Sequence, residues 1–461
     1  MASFDLILRG VALVTSSGVT TADVAIADGV FAAISPQVTG KAHREIDGRG
    51  LHAFPGGIDP HVHFNEPGLA SWEGFAHGSR AMAAGGMTTY IDMPLNGRPP
   101  TVDGASFDMK LRAAERSSVV DFALWGGLVP GNLDRIEELV DRGVAGFKAF
   151  MCDSGCDDFA AADDLTLYEG MSRCAELGSI VLLHAENADI VSRLAAVAQR
   201  EGRRSSRDFA RSRPPIAEIE AISRAILLAE DTGCATHIVH VSTARGVELV
   251  AEARERGIDV SCETCPHYLI FSEEDAEEIG PALKSAPPVR DAETRERLWR
   301  LVEDGAVAII ASDHSPCPPE FKRGEDFFRT WGGISGCQHS LVLMLTVGCG
   351  VRGLSLPALA RLTATNAARR FALTGKGAIE VGNDADIALL DLGHEAKISR
   401  DELQYRHRTS PYIGHSLACR VKQTFVRGNV VWDDGKIVSA PVGRLLRPSR
   451  DGSITAARAR T

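Results

Sequence analysis

Residues 57–64 read Gly57-Ile58-Asp59-Pro60-His61-Val62-His63-Phe64, an apolar run that ends in two histidines one residue apart. Alternate side chains of an extended strand share a face, so the imidazoles of His61 and His63 look into the same space. Two neutral imidazoles at that spacing suit a divalent cation. Working outward, apolar runs of the same kind follow at 87–94, 121–129, 145–151, 180–186, 236–242, 258–263 and 307–313, which with 51–64 make eight. Helical stretches lie between them. Ile216, Ile219, Ile222 and Ile226 recur at helical spacing behind Pro214 and Pro215, and a second helix over about 245–256 stops at Gly257. Eight β runs interleaved with helices predict an α/β chain of (β/α)8 barrel type, in which chemistry sits at the C-terminal ends of the strands.

The reactive residues fall at those ends. The fourth run carries Lys148, the fifth has His184 near its end, the sixth has His240 and the eighth ends in Asp313. A lone buried histidine is usually a satisfied core residue. Four histidines, a lysine and an aspartate distributed over five strand ends read instead as a metal site. His314 and His267 are expected to support such a site or the core rather than to ligate, and His237, three residues before His240, is expected in the core.

Lys148 is the informative oddity. An ammonium in an apolar run is costly, and burial pushes it toward the neutral amine. Such an amine serves either a Schiff base with a carbonyl substrate or, after reaction with CO2, a carbamate that bridges two metals. The bland alternative is a lysine that snorkels to solvent. The surrounding histidines favour the carbamate. Two divalent cations set against the carbamate, Asp313 and a bridging hydroxide leave one net positive charge, which suits a site that stabilises an oxyanion.

The two chain ends are different in kind. Residues 4–50 alternate apolar and polar between DG and SG turns, and a similar pattern returns over Thr424–Val431 before Asp434-Gly435. Neither segment is stable alone, so the two are expected to complete one small β-sandwich. The expected division is 1–52 and 378–446 for the sandwich, 53–377 for the barrel, and 447–461 as a flexible tail.

Composition narrows the function classes. The 461 residues are 44% hydrophobic and 24% charged, which excludes a disordered chain or a coiled coil. A net charge of -11 argues against nucleic acid, whose phosphates need a basic surface. No window reaches the roughly 18 apolar residues that span a bilayer. The ten cysteines are too sparse for a disulfide scaffold and predict reduced thiols and a cytoplasmic setting. Cys262 and Cys265 form a CxxC with no second pair at zinc-ribbon distance, and are expected to be two thiols in or near a strand.

With these residues in view, the chain resembles the cyclic amidohydrolases of the amidohydrolase superfamily from about residue 5 to residue 445. That group includes dihydroorotases, hydantoinases or dihydropyrimidinases, and allantoinases. Further stretches look like the allantoinase family: Glu66-Pro67-Gly68, Trp72-Glu73-Gly74, Met93-Pro94-Leu95-Asn96, Cys265-Pro266-His267-Tyr268, the segment from Ser312 to Glu320, Trp331-Gly332-Gly333-Ile334, and Tyr405-Arg406-His407 with Ser410-Pro411-Tyr412. Asn65 stands where dihydroorotases resemble HxHxR, and Met151-Cys152-Asp153-Ser154-Gly155 lacks the tyrosine expected of hydantoinases.

The resemblance implies that His61 and His63 hold a first metal, that carboxylated Lys148 bridges, and that His184 and His240 hold a second. It implies that Asp313 binds the first metal and acts as general base. The implied reaction is hydrolysis of allantoin to allantoate, in purine degradation, by a bridging hydroxide. Asn96, Ser285 and Ser315 are candidate substrate contacts, with Ser285 in a loop that reads Ser285-Ala286-Pro287-Pro288. Two divalent ions are expected, zinc first, with cobalt, manganese or iron as alternatives. A dimer or tetramer, a small-molecule substrate and no membrane or nucleic-acid partner complete the expectation. The rival readings are a hydrolase of another cyclic ureide, a barrel that has lost its chemistry, and a Schiff-base lyase working through Lys148.

Overall fold

The computed structural model describes residues 3–449. Eight parallel strands make the barrel: Gly57–Val62, Met87–Asp92, Asp121–Leu124 continued by Gly126–Gly127, Phe147–Phe150, Ile180–His184, Ala235–Ile238, Val260–Thr264 and Ile309–Ile310. The third strand joins the two halves, since Asp121–Leu124 pairs with the second strand and Gly126–Gly127 with the fourth. The barrel closes where His63 N donates to His314 O at 2.7 Å and Val62 bridges His314 in parallel. Each of the eight runs contributes one barrel position. The first run is divided, because His52–Pro55 leaves the barrel and pairs with the sheet of the chain ends.

Strand periodicity sets which side chains face the barrel interior. Along the fifth strand Val181 and Leu183 join the helix-side core with Leu167 and Met171, while Ile180 and Leu182 pack inside with Ile58, Ile91 and Ile309. His184 continues the inner set. On the fourth strand Phe147 and Ala149 lie on the helix side and Phe150 inside, so Lys148 shares the inner face. The helix behind the sixth strand runs Pro215–Thr232 and buries Ala217, Ala221, Ile222, Ala225, Ile226 and Ala229. Ile216, one of the four isoleucines that mark it, is 55% exposed; the buried stripe is made largely of alanines, whose small side chains let the helix sit close to its neighbours. The following helix, Ala244–Glu255, ends before Gly257, whose φ of 88° is the left-handed turn that stops it.

The chain ends share one nine-stranded sheet. Ile387–Asp391 lies antiparallel to His52–Pro55, with Leu389 opposite Ala53, and carries Arg420–Val426, Asn429–Asp433 and Lys436–Ile437 on its other side. Leu6, Leu8, Val11 and Leu13 from the N-terminal end pack with Ile379, Ile387, Leu389 and Phe425 from the C-terminal end in one apolar cluster. Of the tail expected to be flexible from 447, residues 450–461 lie outside the described residues; Ser449 N donates to Ala372 O at 3.0 Å and Arg447 Nε to Arg142 O at 3.3 Å.

All ten cysteines are free, Cys262 and Cys265 both buried. No helix among the described residues is long and apolar enough to cross a membrane.

Candidate active site

The first barrel strand ends at Val62, which places His61 inside it and His63 just beyond. His184 is the last residue of the fifth strand, and His240 and Asp313 lie two and three residues past the sixth and eighth. His240, Asp313 and Asn96 have φ of 39°, 46° and 60°. Left-handed backbone at non-glycine residues costs energy and persists where the surroundings hold it, which is common at functional sites.

These residues converge. The ligand atoms of His61, His63 and Asp313 all lie within 4.8 Å of one another. Asp313 Oδ1 stands 3.2 Å from His61 Nε2 and 3.5 Å from His63 Nε2. The ring centres of His61 and His240 are 5.4 Å apart, and those of His240 and His184 are 4.6 Å apart. Lys148 is fully buried, its Nζ 4.8 Å from the centre of the Phe150 ring, which in turn stacks on His184 at 4.7 Å. His61, His63, His184, His240, Asp313, Asn96 and Ser315 line one cavity of about 350 Å³. Ser285 does not line it; Ala286 does, while the Ser285 hydroxyl is buried with no hydrogen-bond partner.

Burial dominates the electrostatics. It lowers the Lys148 amine to about 8, toward the neutral form that reacts with CO2. It also lowers His63, His184 and, well below the ordinary range, His240, so the imidazoles are neutral and free to donate lone pairs. Burial alone would raise Asp313, yet the facing imidazoles of His61, His63 and His240 hold it far below the usual carboxylate range. Lys148 Nζ, His63 Nδ1 and His240 Nδ1 have no hydrogen-bond partner among the described residues. A ring of imidazoles and a carboxylate whose ligand atoms converge in this way is the donor set of a divalent-metal centre, and the residues present fit one.

The sequence reading missed the groups behind these donors. Glu263 Oε1 accepts from His61 Nδ1 at 2.5 Å, leaving Nε2 turned to Asp313. Its other oxygen is 3.2 Å from His237 Nε2, so His237 is buried as expected and tied to the site. Glu186 Oε2 is 2.9 Å from His184 Nε2, which leaves Nδ1 for the cavity, and Glu186 is paired with Arg213. Burial would raise Glu263 and Glu186, but the imidazoles facing the first and Arg213 beside the second bring both to about 2. Both glutamates were available as signals, charges in otherwise apolar runs: Glu263 inside Val260–Thr264 and Glu186 two residues after His184 in the run 180–186. Cys152 also lies within 4.8 Å of His184 and Glu186. Burial pushes its thiol up to about 12, so it stays protonated and Glu186 remains with Arg213; this trio reads as support for His184 rather than a third metal site.

His314 takes a supporting role. Its Nδ1 accepts from Gly336 N at 3.2 Å, and Glu73 Oε1 lies 3.8 Å from Nε2. Glu73 also receives Arg406 N at 3.2 Å, which brings the Trp72-Glu73-Gly74 and Tyr405-Arg406-His407 stretches together behind the eighth strand.

A model of the amidohydrolase family matches residues 53–431. The chain belongs to the amidohydrolase family. This amidohydrolase is 58% identical to the allantoinase of Rubrobacter xylanophilus over 98% of its own length and 99% of that protein's. It is 51% identical to the allantoinase of Solibacter usitatus, over 96% and 97%. Among solved structures it is similar to the L-hydantoinase (dihydropyrimidinase) of Arthrobacter aurescens, with a TM-score of 0.94, 38% identity, and coverage of 96% of this chain and all of that one. The dihydropyrimidinase of Brevibacillus agri gives a TM-score of 0.90 at 30% identity, over 96% and 98%. The expected fold, a TIM barrel with a β-sandwich domain, and the expected class, a hydrolase of cyclic amides, both stand.

Proposed function

We propose that this amidohydrolase opens the hydantoin ring of allantoin to give allantoate, in purine degradation. The observation that carries the reading is the convergence of His61, His63 and Asp313 within 4.8 Å beside a buried, unpartnered lysine amine, in a chain similar to allantoinases along almost its whole length. His61 and His63 with Asp313 would hold one divalent ion, His184 and His240 a second, and Lys148, carboxylated on Nζ, would bridge them. When bound, such ions polarise a carbonyl and make water a nucleophile at neutral pH. Zinc is the first expectation for both, with cobalt, manganese or iron as alternatives.

The chain's own residues then have defined tasks. Asp313, held ionised, takes the proton of the attacking water and passes it to the departing ring nitrogen. Glu263 and Glu186 fix the tautomers of His61 and His184. Asn96 and Ser315, on the cavity wall, hydrogen-bond the ring, and Ser285 presents its loop to it through its neighbour Ala286. Ten free thiols support a reducing, cytoplasmic setting, and a dimer or tetramer belongs to the same reading.

The likeness to hydantoinases favours one second reading, hydrolysis of another cyclic ureide. Metal analysis of the purified protein, with allantoin, hydantoin, dihydrouracil and dihydroorotate assayed side by side, tests both. Allantoin as the preferred substrate is the expected result; a preference for another ring overturns the assignment.

A further inference from the structure

Lys284 is only 5% exposed, yet it lines the cavity that holds the imidazoles. Its Nζ donates to Thr330 O at 2.5 Å and approaches Phe328 O at 3.5 Å. It stands over the rings of Phe209 and Phe327, 4.6 and 5.6 Å from their centres. An ammonium has three donors, so at least one remains unused among the described residues. Nor does Lys284 form an ion pair with any described carboxylate, and burial, with repulsion from Lys322 and Arg213, lowers it to about 7. A buried cation with a spare donor is costly unless something polar completes its shell.

The other cations of the wall are committed elsewhere. Arg213 is paired with Glu186, and Arg329 is 88% exposed with Asp326 at 3.6 Å. Among the described residues Lys284 is thus the cation of this wall that is buried and has no carboxylate partner. None of the six expected metal-site residues is among its contacts; its hydrogen-bond partners come from the segment that also supplies Phe321, Trp331 and Gly333 to the wall. Allantoin has two polar parts, the ring cut beside the imidazoles and an exocyclic ureido tail that must lie elsewhere in the cavity.

We propose that Lys284 is a specificity residue that donates to the carbonyl oxygen of the ureido tail, so that the site favours a hydantoin bearing that tail over a bare ring. The assignment rests on the allantoin reading above. Thr330 O aims the ammonium, and Phe209 and Phe327 keep it from turning to solvent.

The test compares kcat/KM for allantoin and for hydantoin in wild type and Lys284→Met, with hydantoin read as a competitive inhibitor if its turnover is slow. Loss of one hydrogen bond from a charged donor lowers kcat/KM for allantoin roughly 10- to 100-fold, mostly through KM, while the hydantoin value holds. Lys284→Arg recovers part of the loss. Equal loss for both substrates means that Lys284 only pins the Thr330 segment, and unchanged allantoin hydrolysis means that it touches no substrate; either overturns the proposal. If Lys284→Met does not fold, Lys284→Gln is read by the same ratio. A wild-type enzyme active on hydantoin but not on allantoin overturns the functional reading itself, which no Lys284 variant decides.

Discussion

Glu263 reaches from the seventh barrel strand to the first and holds His61 Nδ1 at 2.5 Å. The two residues are 202 positions apart in sequence, and both are essentially unexposed. The bond makes Nδ1 the protonated nitrogen and Nε2 the lone-pair donor, which faces Asp313. Glu186 fixes the other tautomer of His184 from two residues away, holding Nε2 and leaving Nδ1.

In the proposed metal centre Glu263→Gln therefore weakens metal retention without removing a metal ligand. Activity and metal affinity fall roughly 10- to 100-fold, the usual effect of losing a carboxylate behind a metal-bound histidine. Metal content after dialysis against a graded series of chelator concentrations measures this, and a variant that keeps its metal as wild type does refutes it.

Lys148→Ala abolishes activity while leaving the fold intact, because the amine has no hydrogen-bond partner among the described residues to lose. Added short-chain carboxylic acids restore part of the activity by standing in for the proposed carbamate. Circular dichroism and an assay with and without acetate decide it; full activity with no added carboxylate eliminates the bridge.

Asp313→Asn leaves the shape of the side chain and removes the proposed base. Turnover drops by roughly 10²- to 10⁴-fold, the contribution of a positioned general base. Single-turnover kinetics on the purified variant measure it, and a loss confined to KM assigns Asp313 to binding alone.

His267 gives a pH-dependent prediction on stability. It is fully buried with both ring nitrogens unpartnered, and burial lowers it from 6.5 to about 4. Between those values the unfolded chain binds a proton that the folded protein refuses, so stability is lost as pH falls from 6.5 towards 4. His267→Phe removes that loss, and its advantage over wild type grows across this window to a ceiling of about 3 kcal/mol. Denaturant unfolding of both metal-loaded proteins at several pH values checks it; parallel curves mean that His267 does not titrate on unfolding.

Much of the site was legible because strand periodicity is local. Lys148 shares its parity with Phe150, and His184 with Ile180 and Leu182, so inward orientation follows from spacing once the runs are recognised as strands. The likeness between the chain ends likewise announced that they belong together, although the two strands that join them, His52–Pro55 and Ile387–Asp391, lie outside the stretches that resemble each other. Ile216 escaped this logic, since a spacing of three to four residues marks a helix without saying where its apolar stripe begins. Ser285 and Ala286 escaped it too, because a loop has no period and only its packing decides which residue meets the cavity.

By itself the sequence determined the number and order of the barrel strands, the inner parity of their histidines and lysine, and the need of the two ends for each other. These follow from backbone geometry acting over a few residues. Tertiary structure alone decided that Glu263 lies behind His61, that Arg213 is spent on Glu186, and that Lys284 faces the cavity with a donor unused. Those pairings depend on how the barrel closes, and closure brings together residues whose separation along the chain leaves no periodic trace.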